Sequence, residues 1–205
     1  MVNIKRKAFA NITLSLLFLG TAIVGYIGHF NKCVEMTFMS NAFTGGVLLL
    51  GGIYAFIFKR DIPHFLYLDC AVLMSSVIAA CLLFAPPMLV VGTAIIPHLI
   101  NPIAIFVYYF KFCDARGCRL WHVFTTLIFP TVYYVFMILY GIMGTRVVYY
   151  QFNPNIISVL NLTLVGAAAL VGLFLVGVVL FKLNIRLRNA ADRRELKKAQ
   201  SRTEA

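Results

Sequence analysis

Charged residues are scarce in this chain, and acidic residues are the scarcest. Only 12% of the 205 residues are charged, only 7 are Asp or Glu, and 61% are hydrophobic. A soluble globular domain is usually about half apolar and about a quarter charged. The shortage of charge therefore excludes a soluble domain and predicts a membrane protein.

Motifs of several enzyme classes are also missing. The sequence has no glycine-rich phosphate loop, no paired zinc-ligand motif and no G-x-S-x-G nucleophile elbow. The 5 cysteines are an odd number, which argues against a disulfide framework. We therefore expect no phosphate or nucleotide chemistry, no metal and no cofactor.

Six long hydrophobic stretches dominate the chain instead. Each is close to the ~20 residues that cross the ~30 Å hydrocarbon core of a bilayer. The predicted spans are 8–28, 35–58, 62–85, 87–110, 121–145 and 156–182. The predicted fold is thus an all-α polytopic membrane protein with six transmembrane helices in residues 1–185. Residues 186–205 form a basic tail, either a helix frayed from the last span or disordered.

Basic residues are distributed unevenly between the two ends of these spans. Lys32 and Arg146 alone lie in the loops at one end. The other end holds 16 of the 18, namely Lys5, Arg6, Lys7, Lys59, Arg60, Lys111, Arg116, Arg119, Lys182, Arg186, Arg188, Arg193, Arg194, Lys197, Lys198 and Arg202. The positive-inside rule then places both termini in the cytosol.

The net charge of +11 follows from this topology and does not indicate a nucleic-acid partner. The basic tail is expected to attract anionic lipid headgroups, at about 1 kcal/mol per basic residue near the surface.

The sequence leaves the oligomeric state open. It equally leaves open whether the membrane is bacterial cytoplasmic, endoplasmic reticulum or plasma membrane.

Polar side chains inside the spans are few. Because an unpaired polar group in hydrocarbon is costly, each of them is expected to have a hydrogen-bond partner or a function. In the second span Thr37, Asn41 and Thr44 recur at spacings of four and three, so they share one helical face. Such residues often join transmembrane helices through hydrogen bonds of about 0.6 kcal/mol. This face is therefore either a packing surface or part of a site.

The fourth span carries a histidine between two prolines. Pro97 and Pro102 remove backbone donors and disturb the helix around His98 and Asn101. The carbonyls that they free need polar neighbours, and an unpaired intramembrane histidine is costly. The pattern predicts a polar pocket and makes His98 a functional candidate.

Asp69 is the only carboxylate deep inside a predicted span. We expect it to be neutral, in contact with water or paired with a basic loop residue. It is either an anchor of the helix bundle or part of a proton path. Asp114 and Arg116 are expected to form a pair that fixes their loop, and Tyr108 and Tyr109 to lie at the membrane interface.

Three short strings carry a resemblance to a known family. They are MTFMSN at 36–41, PHxxxP at 97–102 and FCDARG at 112–117. Over roughly residues 8–182 the chain resembles the family of the androgen-induced protein and the androgen-dependent TFPI-regulating protein, together with its bacterial six-span relatives. Animal members are threonine hydrolases that cleave fatty acid esters of hydroxy fatty acids with one intramembrane Thr and one His.

The resemblance implies that Thr37 is the nucleophile and His98 the base. A threonine hydroxyl is a poor nucleophile until a neighbouring base accepts its proton, and neutral imidazole suits that work near neutral pH. Asn41 and Asn101 are the candidates for binding the oxyanion or orienting the imidazole.

The predicted spans place Thr37 and His98 at different depths. Thr37 is near the outer surface, whereas His98 is about eleven residues into its span, a gap that approaches ~10 Å. A tilted or broken fourth helix that starts after residue 87 would reduce the gap, and Pro86, Pro87 and Gly92 permit one.

Two other functions compete with a hydrolase. A carrier of small solutes or protons would use the polar positions Asp69, His98, Asn101 and Asn161, although the sequence shows no inverted repeat of the kind many transporters carry. A non-catalytic protein that binds lipid or assembles helices would use the polar face for packing alone.

Overall fold

The computed structural model describes residues 4–28, 32–90, 92–143 and 157–203. Within these ranges the chain is helical and contains no strand. Six of the described helical segments are long and apolar enough to cross a membrane. The predicted all-α, six-span architecture is confirmed at this level.

The helices of the described ranges form the six crossings in chain order. They are α1 (Ile4–Tyr26), α2 (Met36–Phe58), α3 (His64–Phe84), α4 (Asn101–Phe112), α5 (Ile128–Ile142) and α6 (Val159–Thr203). The last helix runs past residue 182, the predicted end of the sixth span, so of the two alternatives for the basic tail the structure has the helix. The basic tail continues it as regular helix to Thr203, because nothing in its sequence breaks the helix.

The fourth crossing is broken at its start. Short 3₁₀ turns at Pro86–Leu89 and Gly92–Ala94 are followed by a π-helical turn, Ile96–Ile100, and only then by α4. The apolar helical segment of this crossing is described from Gly92 to Phe112, against a predicted span of 87–110. The fifth crossing begins with a longer 3₁₀ segment, Leu120–Leu127, before α5.

Large apolar side chains cover the outward faces of the helices. Phe9, Leu50, Leu83, Val132 and Val179 are between 61% and 74% exposed. A water-soluble monomer rarely shows contiguous apolar surface on this scale, whereas lipid tails match it. These faces are consistent with an integral multi-pass membrane protein.

One end of the bundle, here called the basic end, gathers the start of α1, the α2–α3 loop, the α4–α5 loop and the middle of α6. Lys7 pairs with Asp61 there, and the Asp114 N–H donates to His64 Nδ1 over 2.9 Å. Arg188 on α6 donates to backbone carbonyls at the end of α4. Four stretches of chain are thereby joined at this end.

The other end, here called the far end, gathers the end of α1, the start of α2 and the broken start of the fourth crossing. Tyr133 on α5 donates to the Val34 carbonyl over 2.9 Å, and Tyr26 donates to Glu35 over 3.3 Å. Lys32 lies in this region, just before α2. Arg146, the second basic residue expected here, lies outside the described residues.

The core lies between α3, α4 and α6, with α1 and α2 packed against it. Tyr108 and Tyr109 are each only 1% exposed. They are therefore core residues and not interfacial ones, which corrects the prediction made from their position near a span end. Tyr108 contacts Tyr67 on α3 with 5.2 Å between the ring centroids.

Candidate active site

Thr37 and His98 meet at the far end. Thr37 is the second residue of α2, and His98 is the middle residue of the π-helical turn. Thr37 Oγ1 lies 3.3 Å from His98 Nε2, and both side chains are half-buried. The two groups lie at the same depth, because the fourth crossing begins late and reaches His98 through irregular turns.

The second ring nitrogen of His98 fixes how the imidazole is protonated. His98 Nδ1 lies 2.7 Å from the Ala94 carbonyl oxygen. A carbonyl can only accept, so we assign the proton to Nδ1. Nε2 then presents its lone pair to the Thr37 hydroxyl, which is the arrangement of a general base beside its nucleophile.

Asn41 and Asn101 form a buried bridge beneath the Thr37–His98 pair. Asn41 Nδ2 donates to the Thr37 carbonyl over 2.8 Å and faces the Pro97 carbonyl at 3.5 Å. Asn101 Nδ2 donates to Asn41 Oδ1 over 2.6 Å. Both amides are thus engaged with protein acceptors, a geometry that suits positioning α2 against the fourth crossing better than binding an oxyanion.

The proline pair explains why the Pro97 carbonyl is open to Asn41. In the π-helical turn the Asn101 N–H bonds to the carbonyl five residues back, at Ile96. The same spacing would require Pro102 to donate to Pro97, but proline has no N–H. The freed carbonyl receives a side-chain donor instead.

The first turn of α2 supplies backbone donors next to the Thr37 hydroxyl. The first N–H groups of a helix have no intrahelical acceptor and carry a partial positive charge. Glu35 provides no side-chain cap, and the first backbone bond across this end runs from Met39 N–H to the Glu35 carbonyl. Among the described residues no acceptor takes the Thr37 or Phe38 N–H, so both suit a developing oxyanion.

Asp69 and Asn161 are not part of this site. Asp69 lies in the second turn of α3 near the basic end and accepts a 2.7 Å hydrogen bond from Thr125. No described basic side chain is in ion-pair range of it. Asn161 is exposed at the start of α6. Asp69 and Asn161 therefore lie apart from the Thr37–His98 pair, and no described hydrogen bond or ion pair joins either of them to His98.

Sequence reasoning missed a second polar cluster, at the basic end. The Asp61 carboxylate accepts from Lys7, from His64 Nε2 over 2.7 Å and from Tyr67 over 3.0 Å, and Asn11 donates to the Tyr67 hydroxyl. Burial alone would raise the pKa of Asp61, but the His64 hydrogen bond and the Lys7 charge outweigh it and lower the pKa. Asn11, a lone amide in an apolar run, was the available signal.

The predicted Asp114–Arg116 pair is present and extends to the tail. Arg116 binds both Asp114 oxygens, with a shortest distance of 2.6 Å, and also pairs with Asp192 on α6. The hydrogen bond from Arg116 holds the pKa of Asp114 below its usual value. The loop therefore fixes the base of the tail helix.

Comparisons of the chain with protein-family profiles, with curated proteins and with solved structures found no match. A function therefore has to rest on the residues themselves and on their geometry.

Proposed function

We propose that this chain is an intramembrane hydrolase of lipid esters, with Thr37 as the nucleophile and His98 as the general base. The observation that carries the proposal is the 3.3 Å approach of Thr37 Oγ1 to the unprotonated nitrogen of His98. The substrate class is fatty acid esters of hydroxy fatty acids or similar esters. That class comes from the resemblance to the androgen-induced protein and androgen-dependent TFPI-regulating protein family.

The first half of the reaction acylates the enzyme. Thr37 Oγ1 attacks the ester carbonyl carbon while its proton passes to His98 Nε2. The negative charge that develops on the carbonyl oxygen is stabilised by the N–H groups of Thr37 and Phe38. The bond to the alcohol then breaks, and His98 gives its proton to the departing oxygen.

The second half regenerates the enzyme. A water molecule gives a proton to His98 Nε2 and attacks the acyl-threonine carbonyl. The bond to Thr37 Oγ1 breaks, and the proton on His98 returns to that oxygen. A carboxylic acid leaves, and no metal or redox partner is required for the atoms and charges to balance.

The setting of the pair suits a substrate taken from the bilayer. The surrounding helices present apolar faces to lipid, so acyl chains can remain in hydrocarbon while the ester reacts. In this proposal both termini are cytosolic, and the basic tail contacts anionic headgroups at the inner surface.

The test is ester hydrolysis by the purified protein in mixed micelles. Thr37→Ala and His98→Ala should each lower turnover by about 10²- to 10⁴-fold, the usual contribution of a general base or its nucleophile. Thr37→Ser keeps a hydroxyl and should retain measurable turnover. Wild-type rates in both alanine variants would remove the proposal.

A non-catalytic lipid-binding protein would bind the same ester without ever becoming acylated. Mass spectrometry of rapidly quenched samples separates the two functions, because the hydrolase should carry the acyl mass on the peptide that contains Thr37. The His98→Ala variant should show the acyl mass more slowly than wild type.

A further inference from the structure

We propose that the hydrolase draws its substrate from the membrane leaflet at the far end, opposite the basic end. The substrate class is an amphiphilic ester lipid whose polar end faces that surface, and water and polar product exchange with the aqueous phase on the same side. This inference rests on the proposed hydrolase function.

The depth of the Thr37–His98 pair is the first argument. Thr37 precedes Lys59 by 22 residues, and His98 precedes Lys111 by 13 residues. At 1.5 Å per residue these intervals are about 33 Å and about 20 Å, against a hydrocarbon core of ~30 Å. Since the two lysines mark the basic end and both intervals exceed half of the core, both helices place the pair on the far-end side of the bilayer midplane.

The interior on the basic side of the pair is closed. Asn101 is fully buried beneath it. Leu48, Ile105, Tyr67 and Tyr108 follow toward the basic end, each at most 1% exposed and all in one packed cluster. Close-packed side chains of this kind leave no continuous route for water. The hydrolytic water therefore has to come from the far end.

The seam between α1 and α2 is closed as well. A Cβ atom placed on Gly45 would lie 2.7 Å from Leu19 Cγ. The backbone of α2 at Gly45 therefore packs directly against the Leu19 side chain of α1. By contrast, each residue from 94 to 99 in the broken turn is half-buried, and Gly92 is exposed. Part of the fourth crossing beside the site is therefore left uncovered by other helices.

This position selects among ester lipids by where each keeps its ester group. An amphiphile held at the surface by a polar end presents its ester within the leaflet at the far end. A wax ester or steryl ester has no such anchor and spends its time near the bilayer midplane. The amphiphile should therefore be the better substrate by at least tenfold.

The experiment uses the full-length protein in right-side-out and inside-out membrane vesicles. The probe is the taurine amide of a fatty acid ester of a hydroxy fatty acid, because its sulfonate keeps it in the leaflet to which it is added. Vesicles that expose the far end should hydrolyse the probe at least tenfold faster than those that expose the basic end. Detergent should make the two rates equal, and Thr37→Ala vesicles give the background.

Each other outcome has a defined meaning. Equal rates in both vesicle types, or faster hydrolysis from the basic end, would overturn the leaflet assignment. A wax ester cleaved as fast as the probe would overturn the amphiphile assignment. In detergent, cleavage of the fatty acid ester of a hydroxy fatty acid but not of its taurine amide would also overturn the amphiphile assignment, since a site open to water must accept the sulfonate. No cleavage of either ester in detergent would instead contradict the proposed function.

Discussion

His98 depends on a single backbone carbonyl for its orientation. In hydrolases that pair a nucleophile with histidine, a third group holds the ring in the correct tautomer. Here that group is the Ala94 carbonyl, 2.7 Å from Nδ1, and it is uncharged. The hydrogen bond between Asn41 on α2 and Asn101 on α4 holds the Thr37 side of the pair, so it helps to set the distance between Thr37 and His98.

Loss of the Asn41 amide should impair both turnover and folding. Asn41→Ala removes the donor to the Thr37 and Pro97 carbonyls and leaves the Asn101 amide without its acceptor. A buried polar group left unpaired costs about 1–3 kcal/mol, and kcat should fall at least tenfold with little change in KM. Ester hydrolysis and thermal unfolding, measured in the same detergent, check this.

Ser40→Ala is the matched control for Asn41→Ala. Ser40 is the adjacent residue on α2, and its fully buried hydroxyl has no partner among the described residues. Its removal should leave turnover within about twofold of wild type. Equal losses in the two variants would contradict a positioning role for Asn41.

Ionised Asp61 should stabilise the protein fully above about pH 4 and progressively less as pH falls below that value. Its folded pKa is lower than the ordinary value of 3.8, so this stabilisation is complete above 3.8 and is lost as pH falls through the folded pKa. Asp61→Asn leaves Lys7, whose side chain is 4% exposed, without its charge partner, which should cost about 3 kcal/mol at neutral pH.

Thermal unfolding between pH 3 and pH 7 measures both effects. Asp192→Asn, which breaks an exposed pair with Arg116, serves as the control and should cost under about 1 kcal/mol. The Asp61→Asn protein should lose less stability than wild type between pH 7 and pH 3, because it has no carboxylate at this position to protonate. An identical acid profile in wild type and Asp61→Asn would count against this account.

At the scale of elements, the fourth crossing differs most from a regular transmembrane helix. Its 3₁₀ and π-helical turns precede α4, whose second residue is Pro102. Turns with π spacing inside α-helices are frequent at functional sites, because they rotate a side chain relative to the regular helix. Here the irregular stretch brings His98 to Thr37.

Helix contact between α1 and α2 should depend on Gly45 but not on Gly46. A Cβ atom on Gly45 would lie 2.7 Å from Leu19 Cγ and 3.1 Å from its backbone nitrogen, whereas one on Gly46 would meet nothing within 4 Å. Gly45→Ala should therefore destabilise the bundle by about 1–3 kcal/mol. Gly46→Ala should be neutral or stabilising by up to about 1 kcal/mol. Thermal unfolding of the two variants compares them directly, and equal effects would mean that the seam is looser than described.

At the scale of the whole molecule, the charge distribution predicts opposite accessibility for the two ends. In a variant without native cysteines, Lys32→Cys should react with a membrane-impermeant maleimide added to intact cells. Ser201→Cys, near the end of α6, should react only after the membrane is made permeable. Labelling of Ser201→Cys in intact cells would show that the proposed topology is inverted. The basic end would then face the exterior and the far end the cytosol.

Patterns within single segments were enough to predict the six crossings. Apolar runs of about 20 residues can satisfy their backbone in lipid only as helices, so the spans follow from composition. His98 was a candidate from its place between two prolines, its pairing with Thr37 came from the resemblance, and Pro86, Pro87 and Gly92 permitted the broken helix that would align them. The cluster around Asp61 was missed because its members come from two stretches far apart in the chain, residues 7–11 and 61–67.

The sequence by itself determined the helical crossings and the asymmetry of basic charge, since both depend only on local hydrophobicity and on which loops carry Lys and Arg. Tertiary structure alone decided that Thr37 Oγ1 and His98 Nε2 lie 3.3 Å apart, that Tyr108 is a core residue, and that Asp69 stands apart from His98. The physical reason is that these relations depend on the tilt, breaks and packing of helices distant in the chain. Such features arise from contacts between elements and not from the pattern within one.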